Sequence, residues 1–116
     1  MENHNKINYI EIPARDLEAT KAFFKRIFDW SFEDYGPEYS SFINAGVAGG
    51  FFKSERSAQT EKGSALIVLY SKNLEDTFSR VLDAGGGIVR EIFSFPGGRR
   101  FHFTEPSGNE FAVWSE

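Results

Sequence analysis

The sequence predicts an α+β domain built from two tandem βαβββ modules. Three observations carry this reading. Residues 16–20 read Asp-Leu-Glu-Ala-Thr and residues 73–77 read Asn-Leu-Glu-Asp-Thr, an offset of 57 in a chain of 116 residues. Each copy follows a strand-like run and opens a helix-like one, so the match is in register with the element pattern. Each helix is then followed by short apolar runs punctuated by glycine and proline, the mark of successive strands. Module one covers about residues 1–57 and module two about 58–116. Neither is large enough to bury its own sheet, so the two are expected to pack as a single domain over 1–116.

The elements follow in order. Residues 6–13, KINYIEIP, form the first strand, with Asn8, Ile10 and Ile12 on one face and Ile7, Tyr9 and Glu11 on the other. Asp16 is an N-cap, because its carboxylate can accept from the unpaired first N–H groups of a helix. Glu18 sits in the first turn, where the helix dipole favours a negative charge. Leu17, Thr20, Phe24, Ile27 and Phe28 then trace an amphipathic face. Residues 30–52 read as three short strands. Residues 53–63, KSERSAQTEKG, have no apolar period and read as a linker or mobile loop. Residues 64–70, SALIVLY, restart the pattern. Asn73 caps the second helix, with Asp76 placed to reach back as in a capping box. Leu74, Thr77, Phe78, Val81 and Leu82 supply its buried face, and Gly85-Gly86-Gly87 end it. Strands follow over 88–95, 99–104 and 109–114, joined by turns at Pro96-Gly97 and at Glu105-Pro106-Ser107-Gly108.

Composition excludes several classes of function. The chain has no cysteine, which removes disulfides, thiolate metal sites and cysteine nucleophiles. With only 2 histidines it cannot build a three-histidine metal site from one chain. Net charge is −4 and the 13 basic residues are scattered, so there is no basic stripe for nucleic acid. No apolar run approaches the roughly 18 residues of a membrane-spanning helix. The polar first residues lack the basic-then-apolar order of a secretory signal, so a cytoplasmic setting is expected. The 13 phenylalanines demand burial in a core, a cavity or an interface. Phe23, Phe24, Phe28 and Phe78 lie on helix faces and read as core. Phe42, Phe51 and Phe52 lie on first-module strands, some of them facing inward.

The element order, with the segments EIPARDLEATKAFFKRIFDW and FHFTEPSGNEFAVW, resembles the vicinal oxygen chelate superfamily. That superfamily includes glyoxalase I, extradiol dioxygenases, fosfomycin-resistance enzymes and bleomycin-binding proteins. Within it the chain is most similar to short glyoxalase-like members. The resemblance implies that each sheet curls into a half-barrel and that the two enclose a cavity. In metal-using members, ligands stand on the first and last strands of each module. The matching positions here are Tyr9, Leu66, Ala112 and a residue at Gly49 or Gly50. Leucine and alanine carry no donor atom, and a phenol keeps its proton at neutral pH. No metal or other cofactor is therefore expected. The resemblance also implies a homodimer.

By strand parity from those positions, a small apolar or aromatic ligand would meet Tyr9, Glu11, Leu66, Ala112 and Trp114. Tyr9 and Trp114 would form a stacking wall or plug the cavity. Binding without chemistry is the leading expectation. A metal-dependent lyase or dioxygenase with relocated ligands, or a metal-free acid–base enzyme, is the alternative. Its candidates are Glu11, Glu110 and His102. A two-residue shift of register would bring Glu11 and Glu110 to the matching positions, with His102 as a third donor. Buried among phenylalanines, such carboxylates would have raised pKa values, or they would pair with a basic residue such as Arg100. His102 could equally be a hydrogen-bonded sheet residue, and His4 is expected to be exposed. A filled-cavity interaction domain is the third reading. The Gly97–Arg100 turn could hold an anion, and the Glu33–Tyr39 loop could border the cavity mouth.

Overall fold

The computed structural model describes residues 3–116. Two four-stranded mixed sheets are joined by two helices in the order strand, helix, three strands, repeated once. The elements of the first module are β1 (Ile10–Ala14), α1 (Leu17–Phe28), β2 (Ser31–Asp34), β3 (Tyr39–Ile43) and β4 (Gly49–Lys53). Those of the second are β5 (Ile67–Tyr70), α2 (Leu74–Asp83), β6 (Gly87–Phe95), β7 (Gly98–Thr104) and β8 (Glu110–Ser115). The strand orders, β1-β4-β3-β2 and β5-β8-β7-β6, are the same in both modules, with one parallel pair in each. Neither sheet closes into a barrel, in keeping with two curled half-barrels. No helix among the described residues is long and apolar enough to cross a membrane.

The caps form as the residue types dictate. Asp16 accepts from the Ala19 N–H at 3.1 Å, and Asn73 accepts from the Asp76 N–H at 3.1 Å. The reciprocal half of a capping box does not form, because the Asn73 N–H donates instead to the Ser71 hydroxyl at 3.1 Å. Asp29 ends α1 in the left-handed conformation at φ 61°.

Helix α1 supplies a core common to both sheets. The buried Phe24 ring lies 5.6 Å from Phe51 of the first sheet and 5.0 Å from Phe111 of the second. Trp30 stacks on it at 4.5 Å, and Phe23 reaches Phe103 at 5.8 Å. Phe78 on α2 meets Phe101 at 5.1 Å. Replacing such a buried ring by alanine typically costs about 3–5 kcal/mol. One core therefore welds the modules into one unit. Phe42 and Phe51 face this core, whereas Phe52 alternates to the opposite, open face.

Two strand boundaries differ from expectation. β1 begins at Ile10 rather than at residue 6, because its partner β4 begins at Gly49 and offers nothing for residues 6–9 to pair with. β5 begins at Ile67 rather than at residue 64. The first N–H of β8, from Glu110, bonds to the carbonyl of Ala58 at 2.8 Å, so the linker takes the place β5 would extend into. Residues 53–63, expected to be a loose linker, are thereby anchored. The Ala58 N–H donates to Asn109 Oδ1 at 2.7 Å, and Gln59 Nε2 donates to the Gly108 carbonyl at 3.3 Å.

Candidate functional site at the module junction and open sheet faces

Side-chain alternation sends the core residues of each sheet toward the helices and leaves the other face open. On the first module the open face holds Glu11 on β1, Gly50 and Phe52 on β4, and Tyr39 and Ser41 on β3. Tyr9 precedes β1 and joins this group. Its hydroxyl lies 2.6 Å from that of Tyr39 and 3.2 Å from that of Ser41. Burial, with hydrogen bonding to Tyr9 and the neighbouring Glu11, pushes the Tyr39 phenol well above its ordinary value. A Cβ built on Gly50 would lie 2.6 Å from the Tyr39 hydroxyl, so Tyr39 packs across the bare backbone of Gly50 and would have to shift for any side chain there. The ladders also settle the counterpart of Ala112. Glu11 pairs with Gly50, and its repeat equivalent Val68 pairs with Ala112, so the matching residue is Gly50 rather than Gly49.

On the second module the open face holds Glu110, Ala112 and Trp114 of β8 beside Arg100 and His102 of β7. His102 and Glu110 are both buried, and His102 Nδ1 lies 2.9 Å from Glu110 Oε2. The other carboxylate oxygen accepts from the backbone N–H and hydroxyl of Thr60, at 2.9 and 2.8 Å. Burial pushes the Glu110 carboxyl up, but the donors from His102 and Thr60 outweigh it and hold the group below its ordinary value. The expectation of a raised Glu110 is thus corrected, because burial comes with three donors. Its partner is His102 rather than Arg100. Irregularities in β6 shift its register between Arg90 and Phe93, so both side chains reach the open face although their spacing is odd. The Arg90 guanidinium carbon lies 3.8 Å from the Phe93 ring centre, and Phe95 and Tyr70 flank Trp114 at 6.2 and 5.1 Å.

Between the modules runs a cleft of about 1050 Å³. Its wall combines Ile10, Ile12, Ile67 and Phe111 with Glu11 and Glu110, and the anchored linker 55–59 and Arg15 border it. Of the residues expected to meet a ligand, Glu11 lines this cleft. Tyr9, Ala112, Trp114 and Leu66 lie outside its wall, and the cleft is instead bordered by the neighbours of Leu66, Ala65 and Ile67. Of the three acid–base candidates, Glu110 and His102 are brought into contact, while Glu11 stands on the first module as an exposed residue. Among the described residues, no group of three or more His, Cys, Asp or Glu side chains is placed to hold a metal ion, so the relocated Glu11, Glu110 and His102 set does not converge.

Thr60, Asn109 and Phe93 were not expected at the site, and Tyr39 was expected only as the end of the Glu33–Tyr39 loop. Asn109 carried a legible signal, since a polar residue just before an apolar strand often holds a turn. Thr60 carried none, because its role depends on where the linker lies.

The junction is further held by a buried polar cluster. Glu105 accepts from the Thr20 hydroxyl at 2.7 Å, the Ser107 N–H at 2.8 Å and Asn109 Nδ2 at 2.6 Å. The Asp16 N–H donates to the Ser107 hydroxyl at 3.0 Å, which ties the start of α1 to the β7–β8 turn.

Solved structures with the same architecture share little sequence with this chain. A glyoxalase-related enzyme from Fulvimarina pelagi superposes with a TM-score of 0.79 at 20% identity, covering 97% of this chain and 88% of its own. The fosfomycin resistance protein FosX from Listeria monocytogenes gives 0.79 at 15% identity, covering 97% and 93%. TioX from Micromonospora sp. ML1 gives 0.71 at 13% identity, covering 96% and 98%. At such identities the likeness establishes the fold alone. None of the curated protein sequences matches this chain. The family model of the Glyoxalase/Bleomycin resistance protein/Dioxygenase superfamily matches residues 6–113, nearly the whole sequence, and the chain belongs to that superfamily.

Proposed function

We propose that this protein binds a small, largely apolar or aromatic molecule in the cleft between its modules, without the divalent metal that catalytic relatives use. The observation that carries the reading is the cleft itself. It has the volume of a small-molecule site, an apolar wall and a few polar groups that could orient a ligand. The metal-free part rests on the donor set. The four positions that match the ligands of metal-using relatives carry Tyr9, Gly50, Leu66 and Ala112. Two of them have no side-chain donor, one has no side chain, and the fourth is a phenol engaged with two other hydroxyls. No reaction step is assigned to a metal on this basis.

The test is a thermal-shift and NMR titration against small aromatic compounds in excess chelator. Binding should persist in chelator and should be lost in Ala65→Trp, which places a large ring in the cleft wall. Binding that appears only after a divalent metal is restored would overturn the reading.

A second reading is favoured by the Glu110–His102 contact. A carboxylate that fixes an imbedded imidazole is the arrangement of a general base with its orienting partner. In that reading Glu110, the member of the pair that lines the cleft, meets the ligand and His102 orients that carboxylate, so His102→Gln lowers turnover while cleft binding remains. A homodimer is also proposed. The exposed apolar side chains of Ile43, Phe52, Val68 and Tyr70 support it, and light scattering on the purified chain checks it.

A further inference from the structure

Resting on the cleft reading, we infer that the ligand carries a carboxylate, which Arg15 and Ser57 hold at one end of the cleft while its apolar body lies along Ile10, Ile12, Ile67 and Phe111. The geometry starts at Gly108, a turn glycine in the left-handed conformation at φ +87°. A Cβ placed on it would lie 3.7 Å from Arg15 Nη2 and 3.7 Å from Ser57 Oγ. The two groups therefore flank one point, over a backbone that carries no side chain. Arg15, Ser57 and Gly108 all line the cleft, and Arg15 is exposed, so a ligand in the cleft can reach this corner.

Both groups are placed to donate. Arg15 makes no ion pair among the described residues. Ser57 Oγ accepts from Gln59 Nε2 at 3.0 Å, which leaves its own proton to donate. The same Gln59 nitrogen donates to the Gly108 carbonyl at 3.3 Å, so Ser57 and Gly108 are held side by side. Arg15 is pinned through its backbone. Its carbonyl accepts from Lys53 Nζ at 2.8 Å, and the next N–H, that of Asp16, donates to the Ser107 hydroxyl at 3.0 Å. A planar guanidinium beside a hydroxyl donor suits a carboxylate, whose two oxygens can each take one of them. A phosphate dianion fits less well, because one cation balances one charge and the Gly108 N–H is already given to the Glu105 carbonyl at 2.8 Å. The carboxylates of the cleft do not compete for Arg15. Both oxygens of Glu110 are taken by His102 and Thr60. Glu11 stands four residues before Arg15, about 13 Å away at the rise of a strand. Glu55 borders the cleft next to Arg56, which with Lys62 adds positive charge there. Ile12 lies three residues before Arg15, about 10 Å at the same rise, so a short chain separates the carboxylate from the apolar body.

The probes are phenylbutyrate and phenylbutyramide, which share a shape and differ by a carboxylate against a neutral amide. Titration calorimetry on the full-length protein is expected to show the acid binding about tenfold or more tightly, the margin of a charge-assisted over a neutral hydrogen-bonded contact. Arg15→Gln should erase that margin by weakening the acid alone, and Arg15→Lys should restore part of it. Added salt should narrow it. Ser57→Ala should cost the acid a smaller share. Arg15 is exposed, so its variants should keep the circular dichroism of the parent protein. Ala65→Trp, which blocks the cleft, should remove both compounds. Equal binding of acid and amide, with both lost in Ala65→Trp, overturns the inference and leaves the cleft reading standing. So does a margin that survives Arg15→Gln. Binding of neither probe also overturns the inference, and the cleft reading falls with it only when neutral aromatic compounds fail to bind as well.

Discussion

Replacing Asn109 with alanine tests whether the module junction is held as the geometry indicates. Asn109 is fully buried and has three partners on three segments. Its Nδ2 donates to the Pro13 carbonyl at 2.6 Å, at the end region of β1, and to Glu105 Oε2 at 2.6 Å. Its Oδ1 accepts from the Ala58 N–H of the linker at 2.7 Å. Alanine removes all of these at once. Glu105 keeps its bonds from Thr20 and Ser107, so the main orphans are the Pro13 carbonyl and the Ala58 N–H. Each buried orphan costs about 1–3 kcal/mol, and water entering from the adjacent cleft recovers part of it. Two such orphans, less what water recovers, give an expected loss of about 2–5 kcal/mol. At about 4–8 °C per kcal/mol for a domain near this size, the midpoint of thermal unfolding should fall by roughly 8–40 °C. Urea unfolding followed by tryptophan fluorescence measures the free energy directly, because Trp30 lies in the shared core. A loss below about 1 kcal/mol would refute the clamp, since it would mean that none of the three partners depends on Asn109.

Other substitutions probe the remaining parts. Gly50→Ala should cost about 1–3 kcal/mol by overpacking, because the new Cβ would lie 2.7 Å from the Ser40 carbonyl as well as against Tyr39; a neutral effect in chemical denaturation would contradict the packing. The Glu110 carboxyl is held below its unfolded value, so its contribution to stability is present above that value and fades as pH falls through the folded one. Glu110→Gln should therefore flatten the acid side of a stability–pH profile, and an unchanged profile would show that the contacts with His102 and Thr60 do not hold in solution. Glu105 has the opposite sign. Burial raises its carboxyl, so its contribution is present below the unfolded value and is lost as pH rises through the folded one. In Thr20→Val, which removes one donor, this loss on the alkaline side should deepen, as read from urea midpoints between pH 4 and 8.

Much of the fold was legible in the residues themselves. The Asp-Leu-Glu-Ala-Thr repeat, the two N-caps and the first helix face depend on local chemistry and formed where the sequence placed them, whereas on the second helix Leu74, Thr77 and Val81 are buried but Leu82, expected on the same face, is exposed at the edge of the stripe. Strand ends were less legible because a strand extends only as far as its partner. Residues 6–9 lack a partner in β4, and Ala58 occupies the edge that β5 would have used. Glu11, Glu110, Ala112 and Trp114 lie on the faces turned away from the helices, but parity could not show that of these only Glu11 and Glu110 would line the cleft. It could not show that Glu110 would turn to His102, a diagonal neighbour whose geometry depends on the Glu105–Asn109 turn. Nor could it show that irregularities in β6 bring Arg90 and Phe93 to one face. The linker was the least legible element. Its apolar-poor sequence is that of a mobile loop, and its order comes from hydrogen bonds to Asn109 and Glu110 in the distant turn.

The central claim is that this member of the superfamily binds its ligand without a metal held by the four matched positions. The most direct test is metal titration of chelator-treated, untagged protein by calorimetry with nickel, zinc, manganese and iron, paired with the same aromatic-ligand titration in metal and in chelator. No stoichiometric side-chain metal site and equal ligand affinity in both conditions are expected. One tightly bound metal ion per chain, with ligand affinity that requires it, would overturn metal-free binding.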